Sequence, residues 1–268
     1  MFKSIITHRG IAHIDDFLSV AVLLTKFKVE TIQRVKNIDE EKLNNTDYII
    51  VDIGGRYNSQ RLFDHHQDIN LNCSLVLILK DIFGYDLDFL MKIDEIKYID
   101  LQDRYGVKKA QELMNIQNPI INLLEYSLLR WFSKEIVISY SELDFLKEIG
   151  KQFLKYLDDF KNEEKKIINS KFYKNKYGTI LFNPNTTFNI TILNKLLPDL
   201  IGVIHQSDRD SNLINIVQIN FNPYFQPSLI TKKLTPVFLH KTGFLAVIKR
   251  EDLDKINPFD FIFEGGLI

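Results

Sequence analysis

Over its first hundred residues the chain alternates short continuous apolar runs with helical stripes. Residues 4–7 (Ser-Ile-Ile-Thr), 29–35 and 48–51 read as strands. The last of these, Tyr48-Ile49-Ile50-Val51, runs into Asp52-Ile53-Gly54-Gly55, the pattern of a buried parallel strand ending in a glycine-rich turn. From Ile14 the spacing turns helical. Phe17, Leu18, Val20, Ala21, Leu23, Leu24 and Phe27 make an apolar face, and Asp15 and Asp16 fall in the first turn, where acids are favoured. Further helices are predicted over 39–45, 74–83 and 87–100, the last followed by a loop holding Asp103. Such alternation of strand and helix predicts an α/β layer on a mostly parallel sheet.

From residue 110 to about 169 the pattern is helical, and the stretch 143–167 is long, amphipathic and Lys-rich towards its end. Beyond Lys171 strands are predicted over 179–182, 201–205 and 213–221, with a helix over 189–197, and Pro223, Pro227 and Pro236 punctuate a loop-rich stretch. The expected organisation is an N-terminal α/β domain (1–110), a helical connector (111–170) and a smaller C-terminal α/β domain with a mixed sheet (171–268). No internal repeat or low-complexity tract is visible.

Composition narrows the function classes. With 45% hydrophobic and 26% charged residues, the 268-residue chain has ample material for a core. Lys plus Arg is 34 and Asp plus Glu 35, so no global basic field exists, and a nucleic-acid substrate would need local basic patches or bound metal. The one cysteine, Cys73, excludes an internal disulfide and a Cys-based zinc finger. The first residues lack a signal-peptide pattern, and no apolar run approaches the roughly 18 residues of a membrane span, so a cytoplasmic location without membrane contact is expected.

Four of the six histidines lie in the first quarter of the chain, in two groups beside acids: Thr7-His8-Arg9-Gly10-Ile11-Ala12-His13-Ile14-Asp15-Asp16 and Phe63-Asp64-His65-His66-Gln67. Taken singly, each has an ordinary explanation. A His beside an Asp is commonly a surface hydrogen-bonded pair, Asp15 and Asp16 suit any helix start, and Gly54-Gly55 suits any turn. Jointly they point elsewhere. His8, Asp15, Asp52 and the Asp64-His65-His66 run are each predicted at a strand end or in the helical turn that follows, where ligands of an open parallel sheet bind. Oxygen and nitrogen ligands without thiolate suit Mn²⁺, Mg²⁺, Fe²⁺ or Zn²⁺, and a carboxylate-rich set favours Mn²⁺. More than four ligands suggests two metals, an arrangement that clamps the attacking and leaving oxygens of a phosphoryl displacement.

These residues resemble the DHH phosphoesterase superfamily and, more closely, the MYG1 (UPF0160) family. The resemblance rests on the Thr7 to Asp16 segment, on Val51-Asp52-Ile53-Gly54-Gly55-Arg56-Tyr57, on Arg61-Leu62-Phe63-Asp64-His65-His66-Gln67 and on Asp100-Leu101-Gln102-Asp103-Arg104-Tyr105-Gly106. Leu239-His240-Lys241-Thr242-Gly243-Phe244-Leu245 is a weaker match to a C-terminal His-x-x-x-Phe segment. The resemblance implies two α/β domains and metal-dependent phosphodiester hydrolysis, in the family a 3′–5′ exonuclease activity on RNA or DNA. It implies two divalent ions, Mn²⁺ with Mg²⁺ as the alternative, on His8, His13, Asp15, Asp52, His65 and Asp103, with Asp52 bridging. It further implies that His66 faces the substrate phosphate and that Asp64 orients a histidine.

Substrate contacts from the C-terminal domain are expected at His240, Lys241 and Gly243, in a polar turn whose glycine would let backbone approach a phosphate. The leading expectation is thus a manganese-dependent exonuclease on single-stranded RNA or DNA. A small-molecule phosphoesterase acting on short oligonucleotides, cyclic dinucleotides or pyrophosphate-like substrates is the alternative, and a binding module without turnover belongs to a different class. Residues 151–176 hold eight Lys against four acids, with Phe172 and Tyr173 interleaved. Aromatics among cations suit single strands, although a solvated helix face followed by a strand edge explains the pattern more simply.

Overall fold

The structure is a computed structural model that describes residues 2–116, 123–134, 137–138 and 140–263. It divides into two compact units, 1–157 and 158–268. In the first unit the order is β1 (Phe2–His8), α1 (Ile14–Lys26), β2 (Val29–Val35), α2 (Glu40–Asn44), β3 (Tyr48–Val51), β4 (Leu62–Phe63), α3 (Ser74–Asp81), α4 (Leu87–Lys92), α5 (Asp94–Tyr105), α6 (Val107–Met114), α7 (Leu123–Lys134), β5 (Val137–Ile138) and the start of α8 (Tyr140–Ile168). The division between the units falls inside α8.

The first sheet has the order β4-β3-β1-β2-β5. β1 to β4 are parallel and only β5 runs against its neighbour β2. The runs that predict strands are those that bury completely: Ile5 and Ile6 of β1, Ile32 of β2, and Ile49, Ile50 and Val51 of β3. Helix α1 seals the sheet with Phe17, Val20, Ala21, Val22 and Leu23. Gly150 of α8 meets α1 so closely that a Cβ there would lie 2.1 Å from the Ala21 carbonyl oxygen. Every large side chain is excluded from that crossing.

The order of the sheet places the site. The chain passes from β1 to β2 on one side, then to β3 on the other side of β1. The switch point therefore lies between the carboxyl ends of β1 and β3, where open α/β sheets leave a crevice.

Local chemistry sets the helix boundaries. Asp39 accepts the Lys42 amide at 2.8 Å and starts α2, and Asp86 accepts the Phe89 amide at 3.0 Å and starts α4. The single helix expected over 87–100 is in fact two. Ile93, with φ −87° and ψ 108°, ends α4 and begins α5. Helix α5 then continues to Tyr105, so Asp103 sits on a helix rather than in a loop, a correction with consequences for the site. The helical reading of 110–169 is also interrupted by β5.

The second unit carries the end of α8, then β6 (Lys171–Asn175), β7 (Gly178–Asn183), α9 (Ile190–Leu196), β8 (Leu200–Gln206), β9 (Leu213–Gln218), β10 (Phe238–Leu239) and β11 (Leu245–Lys249). Its mixed sheet has the order β10-β11-β9-β8-β7-β6, with only β7 and β8 parallel. Ile180, Ile204, Ile214, Ile216, Phe225 and Ile248 form one core cluster, and Leu181, Leu193 and Val203 belong to another. β9 ends at Gln218, short of the strand expected to Phe221, because Asn220 and Phe221 turn into the left-handed region. Among the described residues no helix is long and apolar enough to cross a membrane.

Candidate metal centre

β1 to β4 present their carboxyl ends on one edge, and the chain leaves three of them on ionisable side chains. His8 closes β1, Asp52 follows β3, and Asp64, His65 and His66 follow β4. The first turn of α1 brings His13, Asp15 and Asp16 to the cluster that His8 starts, and the third turn of α5 brings Asp103. Asp52 has φ 55°, a left-handed conformation that Asp tolerates better than most residues. Its amide donates to the Phe63 carbonyl at 2.9 Å and so ties the end of β3 to that of β4.

Asp52 is the hub. Its Oδ2 lies 3.4 Å from His8 Nε2, and its Oδ1 lies 3.4 Å from His65 Nε2 and 3.6 Å from His66 Nδ1. His13 Nδ1 lies 3.4 Å from Asp103 Oδ1, while His65 Nε2 approaches Asp103 Oδ2 at 2.6 Å. Among the described residues three overlapping groups have potential ligand atoms within 4.8 Å of one another: His8, His13 and Asp52; Asp52, His65 and His66; and His13, Asp15, Asp52 and Asp103. Asp52 belongs to all three.

The polar atoms here are aimed at shared points rather than at each other. Both Asp15 oxygens, His8 Nε2, His65 Nε2 and Asp103 Oδ2 are buried without a hydrogen-bond partner, the close His65 to Asp103 approach being misaligned for a bond. Buried polar groups are nearly always satisfied, so five orphaned atoms in one crevice need a reason. Separations of 3.4 Å are long for a hydrogen bond but match the edge of a coordination shell whose ligands sit about 2.0–2.2 Å from an ion. The residues therefore fit divalent metal.

The electrostatics agree. Burial, followed by repulsion from Asp52, Asp103 and Asp16, holds the Asp15 carboxyl well above its usual range. Burial likewise pushes Asp16 up to about 6, against the pull of His8 and Arg34. For His65, burial favours the neutral ring, but Asp103 and Asp52 outweigh it and raise the group to about 10. For Asp103, burial is outweighed by the neighbouring His13 and His65 rings, which hold it well below the carboxylate range. The buried or nearly buried carboxylates of Asp15, Asp16, Asp52 and Asp103 crowd one crevice with the permanent cation Arg34 beside them, and divalent ions would relieve that excess.

Asp64 and His66 form a pair at the margin. Asp64 Oδ1 accepts from His66 Nδ1 at 2.7 Å and from the His66 amide at 3.1 Å, and Oδ2 accepts from the Gly55 amide at 2.6 Å. Burial works against the Asp64 carboxylate, but these bonds outweigh it and lower its pKa. The His66 side chain is 62% exposed, its protonated form favoured first by Asp64.

Some members of the site escape sequence reading. Asp16 accepts the His13 amide at 2.7 Å and lies 3.4 Å from His8 Nε2, so it both starts α1 and underlies the cluster. Arg34 is completely buried, 3.6 Å from Asp16 Oδ2, and donates to the Phe132 and Gly10 carbonyls. Its signal was available: in β2 the period of two places Arg34 on the face of buried Ile32, and an inward arginine demands an acid. Asp100, one turn before Asp103, accepts the Cys73 amide at 2.7 Å and Arg104 Nη1 at 2.9 Å, clamping the start of α3 to α5.

His240, Lys241 and Gly243 belong to the second unit, in the turn joining β10 to β11. His240 Nδ1 lies 2.9 Å from Thr242 Oγ1, and the Gly243 amide donates to the His240 carbonyl at 2.7 Å. Gly243 has φ 79°.

Residues 4–71 match an uncharacterised protein family, UPF0160 (MYG1_exonuc). Over 62 residues the chain is 44% identical to the MYG1 exonuclease of Rattus norvegicus, a match covering 23% of this chain and 16% of that protein. Over 144 residues it is 30% identical to the MYG1 protein of Chlamydia trachomatis, covering 53% of this chain and 43% of that one. The chain thus spans less than half the length of these relatives. A solved pGpG-specific phosphodiesterase, PggH from Vibrio, aligns over 95% of each chain at 16% identity and a TM-score of 0.28, a likeness too slight to carry an argument. The family match takes in His8, His13, Asp15, Asp52 and the Asp64-His65-His66 run, while Asp103 lies beyond it.

Proposed function

We propose that this chain is a metal-dependent phosphodiester hydrolase that removes nucleotides from the 3′ end of single-stranded RNA or DNA. The observation that carries the reading is the convergence on Asp52 of three ligand groups, with five buried atoms among them lacking hydrogen-bond partners. His8, His13, Asp15, Asp52, His65 and Asp103 would hold two divalent ions, Mn²⁺ with Mg²⁺ as the alternative, and Asp52 would be shared between them. When bound, such ions lower the pKa of water and stabilise the charge that develops on phosphoryl oxygens.

The protein's own groups do the rest. Asp64 fixes the His66 ring through Nδ1, so the other ring nitrogen is left to donate to a phosphate oxygen of the substrate. Arg34 holds Asp16, and Asp16 holds the start of α1 and neighbours His8, so the crevice keeps its shape against the mutual repulsion of its acids. His240 and Lys241 would supply cationic contacts to the substrate, with Gly243 allowing backbone to approach a phosphate. The name of the rat relative supports a nuclease over other phosphoesterases.

The test is hydrolysis of single-stranded RNA and DNA labelled at the 5′ or the 3′ end, with added Mn²⁺ and products resolved by length. Immediate release of label from the 3′-labelled strand and a shrinking ladder from the 5′-labelled one is the expected result. Cleavage confined to dinucleotides would favour a small-molecule phosphoesterase. No hydrolysis of any phosphodiester would remove the reading.

A further inference from the structure

The second unit carries a surface whose chemistry the catalytic reading does not use. A cavity of about 550 Å³ opens where the β6–β7 hairpin turns, within the size range of ligand sites. Its lining includes Lys174, Lys176, Tyr177, Asp199, Asn220 and Asn222. Two lysines against one acid leave it cationic. The asparagine amides bring both donors and acceptors.

Part of its wall is aromatic. Tyr177 stacks on Tyr224 with ring centroids 4.2 Å apart and planes at 15°, and Lys176 Nζ sits 4.8 Å from the Tyr177 centroid. Between the lining residues Asn220 and Asn222 stands Phe221, 84% exposed. Both Asn220 (φ 52°) and Phe221 (φ 50°) are left-handed, a conformation an aromatic residue rarely adopts. The turn is pinned from within: Gln218 Nε2 donates to the Asn222 carbonyl at 2.6 Å and to the Phe225 carbonyl at 2.8 Å, and Asn222 Oδ1 accepts the Tyr224 amide at 3.0 Å. The fold thus maintains strain that holds a phenyl ring in water on the turn whose flanking asparagines line a cationic cavity. Strain maintained in this way is a feature of ligand-binding segments.

We propose that this cavity is a binding subsite for single-stranded nucleic acid. A base stacks on Phe221, the backbone phosphates meet Lys174 and Lys176, and the asparagines bond base or sugar edges. Stacking on an exposed ring combined with cations tracking the backbone is how single strands are held without sequence preference. The subsite deepens the nuclease reading and rests on its substrate class, but not on its chemistry. It would retain the strand between successive cleavages.

Binding can be separated from hydrolysis by measuring fluorescence anisotropy of a labelled single-stranded oligonucleotide in EDTA. Phe221→Ala should weaken binding about tenfold or more, and Phe221→Trp should restore it. Phe221→Gly relieves the backbone strain, so its loss of binding would not be a folding defect. Lys174→Ala with Lys176→Ala should lower the salt dependence, log Kd against log salt, by roughly one unit or slightly more. Variants that bind like the parent would overturn the subsite even if the parent hydrolyses RNA or DNA. Parent binding lost with Phe221, without any hydrolysis in Mn²⁺, would uphold the subsite and sink the nuclease reading. No binding by the parent, or Phe221-dependent binding to phosphatidylserine vesicles alone, would overturn the subsite.

Discussion

Replacing Asp15 by Ala should make the metal-free protein more stable and the metal-loaded protein less so. Asp15 is completely buried, neither oxygen has a hydrogen-bond partner, and Asp52, Asp103 and Asp16 all oppose its charge. An unsatisfied buried polar group costs about 1–3 kcal/mol. Against this, the variant loses a favourable first-turn acid in α1, about 0.3–1 kcal/mol. The balance is a gain of roughly 1 kcal/mol in EDTA, or about 2–4 °C in Tm for a unit of this size. Metal reverses the order. At 100 times the Kd a ligand stabilises by about 2.7 kcal/mol, so the parent should gain several degrees in Mn²⁺ that the variant largely lacks. Thermal melting of both proteins, each in EDTA and in Mn²⁺, gives four values whose crossing is the signature. A variant less stable than the parent in EDTA, yet equally stabilised by Mn²⁺, would refute the view that Asp15 is strained for the sake of an ion.

Three further outcomes follow from the same geometry. Asp52→Asn should retain the fold, because Asn accepts the left-handed backbone at this position, and should lose about 10³-fold or more in hydrolysis of a phosphodiester; near-normal turnover would remove Asp52 as the hub. Arg34→Met should cost about 3–5 kcal/mol in urea denaturation, since it strands the Asp16 carboxylate in the interior; a loss below about 1 kcal/mol would show that the pair is not held as described. His205, buried on β8, has its pKa pushed down to about 4, first by burial. The unfolded chain therefore takes up a proton near pH 6.5 that the folded unit refuses, and stability should fall by about 3 kcal/mol between about pH 6.5 and 4. His205→Gln should flatten that limb of the stability profile of the second unit, and an unchanged slope would assign the pH dependence to other groups.

How far the sequence reaches into this fold depends on the kind of residue. His8, Asp52 and the Asp64-His65-His66 run can be read from the chain because each follows an apolar strand, and parallel strands must end on one edge. The adjacency of β1 and β3 makes that edge a crevice, and strand order is not written in any local pattern. Asp103 is misplaced by sequence reasoning because the polar run Gln102-Asp103-Arg104 ahead of Gly106 reads as a loop, whereas α5 continues through it to Tyr105. A helix, not a loop, therefore delivers that carboxylate. Arg34 shows in the sequence only as an inward position of β2 and Asp16 only as a helix-start acid, because their pairing joins residues distant in sequence. Phe221 reads as the end of a strand until the left-handed turn at Asn220 shows otherwise.

If one crevice in the first unit holds two divalent ions through Asp52 and its neighbours, as proposed, the protein should take up Mn²⁺ at two ions per chain. Equilibrium dialysis against Mn²⁺ followed by metal analysis tests it most directly. Two ions per chain at saturation for the parent, and a clear loss of one or both in Asp52→Asn, is the predicted result. Fewer than one ion per chain in the parent, or an unchanged count in Asp52→Asn, would contradict it.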